Sequence, residues 1–116
     1  MEFKIVNVGY IEEVCDKSPE LIREMIDIFR DQVMEFSDEM EKLFSEDRYY
    51  DLGMLAHKAK SSVTIMGMDD LAGELKELEL NAKEGIKTET YKNCISSFVN
   101  QTGEALKELD TYLEKL

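Results

Sequence analysis

Between residues 19 and 44, apolar side chains recur mostly every three or four positions, at Leu21, Met25, Ile28, Phe29, Phe36, Met40, Leu43 and Phe44, with a break around Gln32 and Val33. That period lines one face of an α-helix. "KSPEL" supplies the start signal, with Ser18 as N-cap and Pro19 at the first helical position. A further helix is predicted to start near Asp47 and end around Gly67, a residue suited to the left-handed backbone that closes helices. Asp69 can cap the next, which carries Leu71, Leu75, Leu78 and Ala82 and stops at Gly85. Thr88 can cap the last, whose stripe is Tyr91, Ile95, Phe98, Thr102, Ala105 or Leu106, Leu109, Leu113 and Leu116. A short helix over residues 10–16 precedes them, and only "FKIVNV" at the start has any strand character. Four amphipathic helices on short connections bury their stripes best as an all-α, antiparallel up-and-down four-helix bundle with a short N-terminal helix.

Composition narrows this picture. With 116 residues and 43% hydrophobic content, the chain suffices for one core, and no repeat or linker divides it, so residues 1–116 are expected to form a single domain. The formal charge of −12 argues against nucleic acid and against an anionic membrane surface as partners, because both are bound through Lys and Arg. No apolar run approaches the roughly 18 residues of a membrane span. "MEFKIVNVGY" has neither the basic start nor the apolar core of a signal peptide, so a cytoplasmic location is expected. With Met1 at its start and a helix-like end without a linker, the chain is also expected to be free-standing, and a monomer. Cys15 and Cys94 are far apart without a CxxC spacing and are expected to be buried, reduced thiols.

The chain has a single histidine, His57. From Leu52 to Met68 there is no Asp or Glu, where the overall acid density would place about four. At about 100° per residue, Leu55, Ala59 and Met66 fall opposite His57, with Leu52 and Val63 beside them, so the core lies behind the imidazole. On its own side, Gly53 and Ser61 lie about 40° to either flank, Thr64 about 20° and Lys60 about 60° away. A lone exposed histidine among solvated lysines is an ordinary helix feature. Small neighbours one turn away on both sides, a lysine on the same face and the missing carboxylates together describe more: a place that tolerates a dianion on the ring. Lys60 supplies charge, and Ser61 or Thr64 can donate a hydroxyl. Gly53 costs on the order of 1 kcal/mol against Ala within a helix, and close approach of a second macromolecule is one reason to keep it.

"LAHKAKSSVTIMGMDDLAGELKELE", Leu55 to Glu79, resembles the signature of histidine-containing phosphotransfer domains, the HPt modules of two-component phosphorelays. The matching positions are Ala56-His57, Lys60, the small pair Ser61-Ser62, Gly67, Leu71 and Leu78-Glu79. The helix order inferred above is also that of the family's bundle with its N-terminal cap. One position departs: the residue after the lysine is usually glycine, and here Ser61 either bonds phosphoryl oxygens or crowds a partner. Ser62 leans toward the core and is expected on a backbone carbonyl one turn back, and Gly67 reads as a helix terminator.

The resemblance implies that His57 is phosphorylated, on Nε2, and exchanges the phosphoryl group with an aspartate of a response-regulator receiver domain. A hybrid histidine kinase would stand upstream. Lys60 and Ser61 would stabilise the phosphoryl group. Gly53, Lys58, Ser61 and Thr64, with adjoining residues of the second helix, would form the docking face, and Met54 is a candidate anchor or a core-edge residue. No cofactor is implied in this chain, since Mg²⁺ is expected on the receiver. The chain has no nucleotide loop, so it would be a phosphocarrier without autokinase activity. A phosphorylation-independent helical adaptor or inhibitor that binds a receiver or kinase through the same face is the alternative, and a purely structural bundle a further one.

Overall fold

The computed structural model describes residues 3–116. Its elements are α1 (Val8–Val14), α2 (Pro19–Ser45), α3 (Tyr49–Ile65), α4 (Asp69–Glu84) and α5 (Tyr91–Leu113), with a 3₁₀ turn, Thr88–Thr90, leading into α5. Among the described residues there is no strand, and the chain is all-α. α3 packs against α2 and α4, and α5 packs against α2 and α4, so the four long helices close a ring around one apolar core. The body measures 43 × 20 × 20 Å. Among the described residues no helix is long and apolar enough to cross a membrane.

Local chemistry explains most helix ends. Ser18 Oγ accepts from the Leu21 N–H at 3.3 Å, with Pro19 in the first turn as expected. Gly85 closes α4 at φ +67°, and Gly67 follows α3 at φ +77°. Other ends are shifted. α1 runs Val8–Val14, set by Asn7, whose side chain accepts from the Tyr10 N–H at 3.0 Å. α3 begins at Tyr49 because Asp47, at φ +57°, still belongs to the turn that ends α2. Met68 rather than Asp69 is the N-cap of α4, leaving Asp69 and Asp70 in the first turn, where their charges suit the helix dipole. Thr88 opens the 3₁₀ turn and does not cap α5, which starts at Tyr91.

α2 carries the largest departure from the sequence pattern. Its core residues are Ile22, Ile26, Phe29, Val33, Met40 and Leu43, whereas Leu21 and Ile28 are 50% and 52% exposed. The helix has two adjacent apolar rows, and only one faces the core. α5 buries Ala105 and Tyr112, with Leu106 and Leu113 at the core edge. Cys15 is buried and Cys94 half-buried, both unpaired, and burial pushes both thiols up, which makes them poor nucleophiles.

"FKIVNV" forms no strand. Glu108 of α5 instead accepts hydrogen bonds from the N–H groups of Lys4, Ile5 and Val6 at 3.0–3.3 Å. Asn7 N–H then donates to Met66 O at 3.0 Å, which brings the segment over the α3–α4 turn. A Cβ on Gly67 would lie 2.3 Å from Asn7 Cβ. Gly67→Ala therefore meets both a left-handed backbone and a clash, and is expected to lower the free energy of unfolding by about 1–3 kcal/mol in chemical denaturation.

Candidate functional site

His57 sits at the middle of α3, with its side chain 56% exposed. Of the residues expected behind it, Leu52, Ala59, Val63 and Met66 are buried and Leu55 is half-buried at the core edge. Lys58, Ser61 and Thr64 are exposed, Lys60 is half-buried, and neither lysine makes an ion pair among the described residues. The two unpaired cations and the ring thus share one helix. Ser61 Oγ donates to His57 O at a long 3.4 Å, whereas Thr64 Oγ1 donates to Lys60 O at 2.7 Å. Of the two hydroxyls, that of Ser61 is the more easily released to another acceptor.

A carboxylate does reach the ring, from outside the acid-free stretch. Glu79 of α4 places Oε1 and Oε2 at 3.1 and 3.0 Å from His57 Nδ1. An ionised carboxylate only accepts, so Nδ1 carries the proton and the neutral ring has its lone pair on Nε2. The Glu79 side chain is only 10% exposed, and its Oε2 also accepts from Lys83 Nζ at 2.9 Å. Burial pushes this carboxyl up, but hydrogen bonds from Lys83 and His57 outweigh it and hold Glu79 below the ordinary glutamate value.

Two expectations are corrected here. Gly53 is buried and faces α4, so it is no part of an exposed docking face: a Cβ there would lie 2.9 Å from Glu79 O and 3.1 Å from Lys83 N. Its missing side chain admits another helix of the same chain. Ser62 does not bond to its own helix; its Oγ donates to Gln32 Oε1 on α2 at 2.9 Å. Gln32 is the residue that interrupts the apolar series of α2, and its amide is the polar tie between α2 and α3.

Met54 is 46% exposed. On the other flank of His57, α1, α2 and α3 enclose an open groove of about 920 Å³. The second apolar row of α2, Leu21, Met25 and Ile28, lines it together with Ile65, and His57, Lys58 and Ser61 border it from α3. The His57 ring therefore adjoins an uncovered apolar surface. Lys83 and this groove carry no signal of their own in the sequence, where Glu79 stands only as the second residue of the Leu78-Glu79 pair. The signal for Glu79 was present: at about 100° per residue it lies only about 40° from Leu75, on the buried side of α4.

Comparison of the chain with models of known protein families, with curated proteins and with solved structures finds no significant match.

The lowered Glu79 carboxyl gives a signed pH dependence. A carboxylate whose folded-state value lies below its unfolded one stabilises the fold above the unfolded value, about 4.3, and loses that contribution as pH falls through the folded one. Denaturant titrations of wild type and Glu79→Gln are expected to differ most at neutral pH and to converge as the pH drops below about 4.

Proposed function

We propose that this chain is a histidine phosphotransfer protein that carries a phosphoryl group on His57 Nε2 between receiver-domain aspartates. The observation that carries the reading is the Glu79–Nδ1 contact, at 3.0 and 3.1 Å, on a ring whose other nitrogen takes no hydrogen bond among the described residues. It leaves the lone pair on Nε2, the atom that would act as nucleophile, on a side chain that is 56% exposed. The motif resemblance, the two unpaired lysines and the adjoining groove support the same reading.

In the forward step the Nε2 lone pair attacks phosphorus of the receiver's aspartyl phosphate. An N–P bond forms, the P–O bond to the aspartate breaks, and the carboxylate leaves with the bonding electrons. The Nδ1 proton stays on the ring, and the ionised Glu79 offsets the positive charge that develops there. Lys60, with Ser61 once its weak bond to His57 O is released, would meet the phosphoryl oxygens. Mg²⁺ would be held by the receiver. Transfer of this kind depends on positioning and charge neutralisation more than on covalent chemistry by the protein. Lys58, Thr64 and Met54 would lie on the docking face, and Leu21, Ile28 and Ile65 would supply its apolar anchors. The proposed setting is cytoplasmic two-component signalling, with a hybrid histidine kinase upstream.

Incubation with phosphorylated receiver domains tests this. Label is expected to appear on the wild type as an acid-labile, alkali-stable adduct and to be absent from His57→Gln; failure of every receiver and kinase to label the wild type would end the proposal. Binding and cellular output that survive His57→Gln would favour the phosphorylation-independent adaptor, which the same groove could serve. Because Leu21 and Ile28 are already exposed, the double change Leu21→Ala, Ile28→Ala is expected to cost less than about 1 kcal/mol of stability. It should raise the receiver concentration needed for half-maximal transfer by about ten-fold or more, read from initial rates.

A further inference from the structure

Gly53 lies one turn before His57 on α3, and Lys83 lies one turn after Glu79 on α4. These four residues form a closed figure across the helix pair. His57 Nδ1 meets Glu79, Glu79 Oε2 meets Lys83 Nζ at 2.9 Å, and the Lys83 stem lies against Gly53. The three nearest atoms to a Cβ built on Gly53 are Glu79 O at 2.9 Å, Lys83 Cγ at 2.9 Å and Lys83 N at 3.1 Å. All belong to the two α4 residues of the histidine network. We propose that Gly53 and Lys83 are positioning residues for His57: the absent Cβ lets Lys83 cross α3 and hold Glu79 as an ionised acceptor on Nδ1. This rests on the reading of His57 as the phosphoryl carrier.

The physical consequence concerns one proton. Glu79 is nearly buried, and Lys83 is its only other ion-pair partner among the described residues. With the ammonium in place, the carboxylate accepts from Nδ1–H, and the lone pair sits on Nε2. Without it, burial favours the neutral carboxyl, formed by uptake of one proton from solvent, which can donate a hydrogen bond to Nδ1. The ring proton then moves to Nε2 and occupies the lone pair that must form the N–P bond. A methyl at Gly53 reaches the same state by geometry. The contact with Glu79 O is to backbone, which no rotamer change relieves, so α4 must retreat and the Lys83 stem is displaced with it. Gly53 thus acts on the reactive atom through two other side chains and touches no substrate.

The test uses the full chain and needs no receiver. ¹⁵N spectra of the His57 ring at neutral pH report which nitrogen carries the proton, and phosphoramidate serves as a small phosphodonor, its P–N bond breaking with release of ammonia as the Nε2–P bond forms. Wild type is expected to show the Nδ1–H tautomer. Lys83→Met keeps the apolar stem but not the charge, and should show a mixture containing Nε2–H with phosphorylation by phosphoramidate slowed about ten-fold. Lys83→Arg should restore both. Gly53→Ala should resemble Lys83→Met while keeping the wild-type helical circular dichroism; if it does not fold, Lys83→Met decides alone. Unchanged tautomer and rate in folded Lys83→Met overturn the proposal, even if receivers label His57. Conversely, loss of receiver labelling in the wild type would remove the relay reading and leave the ring spectra untouched.

Discussion

The close approach of α3 to α4 at Gly53 is the constraint on which the site depends. Helix pairs ordinarily keep their backbones apart by the width of their side chains. Here the Glu79 carbonyl lies 2.9 Å from the place a Cβ would occupy. Glycine inside a helix costs on the order of 1 kcal/mol. That cost is offset by packing between two helices that an added methyl would overfill. The geometry that follows is specific: Glu79 arrives at hydrogen-bond distance from Nδ1, with its charge already met by Lys83.

Electrostatics around His57 is therefore divided by the helix. From Leu52 to Met68, through all of α3 after its first turn, the chain carries two lysines and no acid. Beneath the ring sits one nearly buried carboxylate that is paired and hydrogen-bonded. A negative charge there does not repel a distant anion as an exposed acid would, because Lys83 neutralises it and the imidazole stands between. An acidic protein thereby surrounds its one histidine with an acid-free stretch of its own helix, while a single nearly buried acid of α4 holds the ring. The nearest exposed acids of the adjoining groove, Glu24 and Glu35, come from α2.

Local signals were legible in the sequence because they act within a turn or two of chain. Ser18, Pro19, Gly67 and Gly85 shape their own backbone, and the apolar residues behind His57 follow from helical period alone. What periodicity does not carry is the identity of the facing element. Leu21, Met25 and Ile28 have the same spacing as Ile22, Ile26 and Phe29, and only the placement of α3 and α5 decides which row is covered. The same limit hid the role of Glu79, which is 22 residues from His57 in sequence and 3.0 Å away in space. It also led Gly53 to be read as an opening for another molecule when the guest was α4.

Ring closure brings together parts of the chain made far apart in time. Most helix contacts join sequence neighbours, from α2 to α3, α3 to α4 and α4 to α5. α2 against α5 and the Glu108 carboxylate on the amides of Lys4, Ile5 and Val6 span much longer loops, more than a hundred residues in the case of Glu108. Loop-closure entropy makes such contacts late to form and early to open. The N-terminal segment, fastened to α5 at one point and to Met66 beside the α3–α4 turn at another, is thus a clasp that shuts only on a completed bundle. Amide exchange at those three residues would time the assembly of the whole molecule.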